Sequence, residues 1–208
     1  ANECDFMGVN SKIELAKAEE FMLVRLRENA MKQGVIFRMP QSIYIECGVE
    51  FEGECEIESG AVLKGETKII NSKILSHTVI ESSVIKDSSV GPFARIRPHS
   101  HIESSHIGNF VEVKNSHLVD IKVGHLSYLG DSEIESGTNI GAGVITCNYD
   151  GKNKHKTHIG KNVFVGSGTQ IVAPVRIQDN VLIAAGSVVT KDAKSGDLVV
   201  ARSKQVNK

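Results

Sequence analysis

The stretch 159–189, IGKNVFVGSGTQIVAPVRIQDNVLIAAGSVV, sets an aliphatic residue at every sixth position: Ile159, Val165, Ile171, Ile177, Ile183 and Val189. At the chain's 40% apolar frequency, six hits in one chosen register arise by chance about 0.4% of the time. All six are Ile or Val. Neither the 3.6-residue period of a helix nor the plain alternation of a flat sheet describes this pattern. A six-residue beat is the mark of a parallel β-helix. Each hexad forms a short strand and a corner, three hexads close a triangular coil, and the aliphatic residue points inward onto its copies above and below. Small residues nearby, as in Gly60-Ala61, Gly141-Ala142-Gly143, Gly166 and Ala184-Ala185-Gly186, suit tight corners where a Cβ would clash or φ must be positive. An all-β sandwich would show two-residue alternation and hairpin turns instead, and little of either is present.

Working outward, the same beat runs through Val90, Ile96 and Ile102, then through Ile107 and Val113 after a one-residue slip. It is present again in Ile45, Phe51, Ile57, Leu63 and Ile69. Residues 11–33 read differently, as one helix. Ser11 and Glu14 fit a capping box in which hydroxyl and carboxylate each satisfy a backbone N–H. Leu15, Phe21/Met22, Arg25/Leu26 and Ala30 keep an apolar stripe at helical spacing. Gly34 can end the helix and Pro40 forbids it nearby. The expected organisation is mainly β, with three parts. Residues 1–36 form a helix-bearing linker, 37–192 the β-helix, and 193–208 a tail that leaves the repeat and covers the last coil. The array is interrupted by NYDGKNKHKT at 148–157, polar and Lys-rich, which should project as a loop.

Bulk properties narrow the function. The 208-residue chain is 24% charged with a net charge of −1, which gives no pull toward nucleic acid or an anionic membrane. No apolar run approaches a membrane span. The opening ANECDFMGVNSK carries acids where a secretory signal would be basic and then apolar. Cys4, Cys47, Cys55 and Cys147 show no CxxC and read as reduced thiols of a cytoplasmic protein.

Six segments in one order, GPFARIRP (91–98), GNFVEVKNS (108–116), GHLSYLGDSEI (124–134), NIGAGVITCNYDGKNKHKT (139–157), VFVGSGTQIVAPV (163–175) and IAAGSVVTKD (183–192), carry a resemblance. The chain resembles the C-terminal half of the bacterial bifunctional N-acetylglucosamine-1-phosphate uridyltransferase/glucosamine-1-phosphate acetyltransferase family. The resemblance spans about residues 8–202, and the pairing of GHLSYLGD with NIGAGVITCNYDG is its most specific part. It implies a left-handed parallel β-helix that assembles as a homotrimer with sites shared between subunits. It implies acetyl transfer from acetyl-CoA to the amine of glucosamine 1-phosphate, feeding UDP-N-acetylglucosamine synthesis. The opening GVNSKIELA resembles the point where the family's uridyltransferase domain ends, and the glycine-rich nucleotide loop of that domain is absent here. Asn10 matches a residue that helps bind Mg²⁺ in that domain, and without the rest of that site it should hold no metal.

The reaction needs a base near neutrality, donors for the thioester oxygen, and cations for the sugar phosphate. The resemblance makes His125 the general base and Glu112 the acid that orients its imidazole. It makes Arg97, Lys114 and Lys154 phosphate contacts, a sensible use of guanidinium and ammonium groups. Tyr128 and Asn139 match residues that hold the sugar. Ala142, Asn148, Tyr149, Ser167, Ala185 and Arg202 match acetyl-CoA contacts. Asn148 lies beside the thioester, where its amide would either polarise the carbonyl or hold the amine. Three other readings compete: an O-acetyltransferase of the same fold, a metalloenzyme like the γ-type carbonic anhydrases, and a non-catalytic scaffold. The Arg97, Lys114, Lys154 set favours a phosphorylated acceptor over the first. The second needs histidines on neighbouring coils around His125, and the third has no use for Glu112, His125, Asn148 and Tyr149 together.

Overall fold

The structure, a computed structural model, describes residues 8–207. Cys4 lies outside the described residues, while Cys47, Cys55 and Cys147 are free thiols. The helix spans Lys12–Lys32. The Ser11 hydroxyl accepts the Glu14 N–H at 3.2 Å, and the Glu14 carboxylate accepts the Asn10 N–H at 2.7 Å, so the start is capped from both sides. The apolar stripe expected on this helix is only partly used. Leu15, Phe21 and Met22 are exposed, and the helix seats through Ala30 and Arg27, whose Nε donates to the Ile43 carbonyl at 2.9 Å.

After the helix the chain winds mainly into three parallel sheets. The first has ten strands, from Ile36–Phe37 to Leu198–Val199. The second has nine, from Tyr44–Ile45 to Val188–Val189, and the third eight, from Glu50–Glu52 to Val175–Ile177. Each strand pairs with the strand one coil away. In the first sheet the inward column runs Ile57, Ile74, Val90, Ile107, Val123, Ile140, Val165, Ile183, Val199 in register. Nearly all of these side chains are fully buried, so the core is a stack of aliphatic layers inside a triangular prism.

The beat also fills stretches where a fixed six-residue count finds none. Ile74, Ile80 and Ile85 continue it after Ile69, and Leu118, Val123, Leu129, Ile134 and Ile140 continue it after Val113. Here many sides are five residues long. In each such side the second residue after the inward one has a left-handed backbone: Asn71, Ser82, Asp87, Ser104, Asn115, Asp120 and Asp131. Most six-residue sides place that residue third instead, as at His77, His99, Leu126 and Asn162. Short polar side chains tolerate this backbone because they bond locally. The residue that follows in a five-residue side is usually Ser. Its hydroxyl accepts an N–H from the next coil, as in Ser88 N–H to Ser72 Oγ at 3.0 Å and Ser105 N–H to Ser88 Oγ at 2.9 Å. Corner amides that strand pairing leaves over are thereby satisfied.

At the far end, the tail expected to leave the repeat after residue 192 stays in it for part of another coil. Leu198–Val199 pairs with Leu182–Ile183, and the Val188 N–H bonds the Ala201 carbonyl at 2.8 Å. Ala193 is buried in the inward position, too small and too close to Val189 to register in a six-residue count.

Candidate functional site

On the second sheet, residues facing outward from successive coils bring cations together. Glu112–Lys114 pairs with Tyr128–Gly130 in register, and Arg97 follows the strand Arg95–Ile96 one coil earlier. Arg97 Nη1 donates to Glu112 Oε1 at 2.9 Å, and this partner raises the guanidinium pKa. Lys114 is different. The Lys154 ammonium beside it lowers its pKa, with desolvation a smaller cause and the Asp131 carboxylate opposing both. Lys114 and Lys154 form no ion pair with a carboxylate among the described residues.

Lys154 reaches this position because the loop after Ile145–Cys147 is built as a small hairpin. Tyr149 and Lys154 form an antiparallel bridge. Asp150 organises the turn between them: its Oδ1 accepts the Lys152 and Asn153 N–H groups at 2.7 and 2.6 Å, and its Oδ2 meets His155 Nε2 at 2.7 Å. The Asn153 N–H and the His155 ring hold the Asp150 pKa far below the usual carboxylate range. At the base, Asn148 is buried, its amide bonded to Asp131 and 3.5 Å from the Tyr128 hydroxyl. Tyr149 is exposed, and its hydroxyl donates to the Gly151 carbonyl at 2.7 Å.

A second line of candidates runs along the corner between the first and second sheets. The Gly168 N–H bonds the Ala142 carbonyl at 2.7 Å, the Gly186 N–H bonds the Ser167 carbonyl at 2.8 Å, and Arg202 Nη1 bonds the Ala185 carbonyl at 2.6 Å. Ala142, Ser167 and Ala185 thus stack one per coil. Their glycine neighbours allow it: a Cβ on Gly166 would sit 2.4 Å from the Ala185 nitrogen, and one on Gly141 2.6 Å from the Ser167 nitrogen. His125 and Leu126 occupy the same corner one coil earlier, since the Gly143 N–H bonds the Leu126 carbonyl. Further along stand the stacked rings of Phe110, Phe93 and His77, with centroids 5.4 and 5.0 Å apart. His125 ends the strand Lys122–His125, is exposed, and its imidazole has no partner among the described residues.

The chain matches the family model described as bacterial transferase hexapeptide (six repeats) over residues 156–191. It is 62% identical over 199 residues to Bifunctional protein GlmU of a Nitratiruptor species, covering 96% of this chain and 46% of that one. It is 59% identical over 207 residues to Bifunctional protein GlmU of Campylobacter fetus subsp. fetus, covering 100% of this chain and 48% of that one. Along its whole length, then, the chain is similar to one part of the GlmU proteins. It spans about half the length of the curated GlmU relatives it matches. Among solved structures, Arabidopsis UDP-N-acetylglucosamine acyltransferase shares the fold. The TM-score is 0.50 at 14% identity, covering 77% of this chain and 65% of that one.

In this chain, one face carries Arg97, Glu112, Lys114, Tyr128, Asn148 and Lys154. The corner carries His125, Ala142, Ser167, Ala185 and Arg202. Asn139 belongs to neither. It stands on the first sheet between Lys122 and Phe164 and lines a groove of about 1090 Å³ that runs back along that face to Ile36. Asn10 is exposed at the start of the helix, and no group of three or more metal-ligating side chains occurs among the described residues. Glu112 is engaged by Arg97, and no bond joins it to the His125 imidazole. Sequence reasoning assigns no role to Asp131 or Asp150. Signals for both are present: Asp131 is inside GHLSYLGD, and the Asp-Gly of NYDG marks a turn. No helix among the described residues is long and apolar enough to cross a membrane.

Proposed function

We propose that the chain transfers the acetyl group of acetyl-CoA to the amine of glucosamine 1-phosphate. The observation that carries this reading is the Lys114–Lys154 pair beside Arg97. Two ammonium groups adjacent without a bridging carboxylate repel each other, and a dianionic phosphate between them would turn that repulsion into attraction. Tyr128 and Asn148, on the same face, would hold the sugar and its amine next to the phosphate. The corner of Ala142, Ser167 and Ala185 offers backbone groups and little bulk, suited to an extended pantetheine chain, and Arg202 closes it as a contact for a CoA phosphate. His125 is unencumbered and takes the proton as the amine attacks. The C–N bond forms, the C–S bond breaks, and the proton finishes on the departing thiolate. Glu112 holds Arg97 in the free chain; a phosphate that takes over the guanidinium releases this carboxylate to orient the imidazole. Acetyl-CoA serves as co-substrate, the assembly is a homotrimer, and the compartment is the cytoplasm. In this reading Mg²⁺ serves uridyl transfer and has no part in the acetyl-transfer step.

The test is release of free CoA thiol from acetyl-CoA and glucosamine 1-phosphate, with His125→Ala alongside. The reading expects thiol release that depends on the phosphorylated amino sugar and falls at least about a hundredfold in the variant. Activity that survives in His125→Ala removes the assignment of the base. No thiol release from the folded chain removes the reaction.

A further inference from the structure

Asp131 is buried at a corner, held with a left-handed backbone between the strands Tyr128–Gly130 and Ser132–Ile134. Its two carboxylate oxygens are used separately. Oδ1 accepts from the Asn115 side-chain amide and Oδ2 from that of Asn148. A carboxylate can only accept, so the group that Asn148 turns toward it must be the NH₂. The Tyr128 hydroxyl lies 3.5 Å from that same NH₂. The Asn148 Oδ1 has no protein partner among the described residues and is not fully buried, so solvent reaches it. The backbone of Asn148 is pinned as well, its N–H on the Thr146 carbonyl at 2.9 Å and its carbonyl on the His155 N–H at 2.8 Å.

We propose that Asp131 is a positioning residue that fixes the Asn148 amide with its oxygen facing the acceptor. Asn148 therefore receives a hydrogen bond from the attacking amine and does not donate one to the thioester. This rests on the acetyl-transfer reading and decides between the two roles open to Asn148 there. The chemistry favours the arrangement. As the amine nitrogen bonds to the carbonyl carbon it becomes positively charged, so its remaining N–H groups become stronger donors. An acceptor fixed beside them binds the transition state more tightly than the ground state. A freely rotating amide would present its NH₂ half the time and repel those same hydrogens.

The test is a cycle on kcat. Asp131→Asn offers one oxygen where two amides need one, so one amide must turn round. We expect kcat to fall about tenfold or more with the KM for acetyl-CoA little changed. In an Asn148→Ala background the same substitution should cost nothing further, because Asp131 acts through Asn148. The exchange Asn115→Asp with Asp131→Asn restores the pattern: the relocated carboxylate accepts from the relocated amide, whose own oxygen accepts from Asn148. That double variant should recover to within about threefold of the starting kcat. An equal loss in both backgrounds marks Asp131 as merely structural and overturns the proposal, as does an exchange variant that folds and melts normally but stays slow. If Asn148→Ala alone leaves kcat unchanged, the acetyl-transfer reading of this face has failed, a result distinct from failure at Asp131.

Discussion

Lys114 and Lys154 put a cost into the free chain that a ligand can remove. The Lys154 ammonium lowers the Lys114 pKa, and burial adds to the effect. The folded pKa therefore lies below the unfolded one. Between the two values the unfolded chain binds more protons, so this group's contribution to stability rises with pH through that window. Below it, both states are protonated and the repulsion is felt in full. Neutralising the neighbour should erase the effect. In Lys154→Gln, the Lys114 titration followed by side-chain carbon NMR is expected to move up toward the ordinary lysine value. A Lys114 titration unmoved by that change would mean that the two ammonium groups do not share a site, and the phosphate reading would lose its support. Single residues of this kind are poorly legible in sequence. A Lys in NKHKT looks like any solvated charge, and only the Asp150-centred turn brings this one back over the sheet.

The helix and the corners carry the next level of organisation. The helix Lys12–Lys32 is anchored near its end, and Arg27 is the key to that seat. Its Nε is the donor to the Ile43 carbonyl, and its Nη1 is 3.6 Å from Glu20. Arg27→Leu keeps the bulk and removes the donor, leaving that carbonyl short of a partner at about 1–3 kcal/mol. Amides of residues 12–32 should then exchange with solvent roughly five- to a hundredfold faster, while those of the sheets keep their protection. Faster exchange throughout the prism would show instead that helix and coils unfold as one unit. The corners explain why part of the array escapes the six-residue count. A side shortened by one residue shifts every later aliphatic position, so a fixed register loses the beat. The signal is present in another form: IINS (69–72), IESS (80–83), IKDS (85–88), VKNS (113–116) and LGDS (129–132) all pair an inward aliphatic with a left-handed polar residue and then a bonding serine. Asn, Asp and Ser turn these corners, which a search for glycine alone passes over.

At the scale of the whole molecule, the candidate residues do not close around one small ligand. Lys114 faces outward from the second sheet and Asn139 from the first, on different sides of the prism. No sequence period could reveal this, since side membership follows from counting five- and six-residue steps correctly through every coil. A rigid stack cannot fold one face onto another, so these two residues can serve one sugar only if they come from different copies. Mixed assemblies test that directly. Lys114→Ala and Asn139→Ala should each be nearly inactive alone. Co-assembled in equal amounts as trimers, a site is complete when the copy that gives the second sheet carries Lys114 and its neighbour carries Asn139. Random mixing makes that true at about one site in four, so thiol release should return to roughly a quarter of the unmutated level. Chains mixed after assembly, without exchange of subunits, should show none of it. Co-assembled chains that remain as inactive as their parents would place both residues' work within one copy, and a site shared across faces would have to be abandoned.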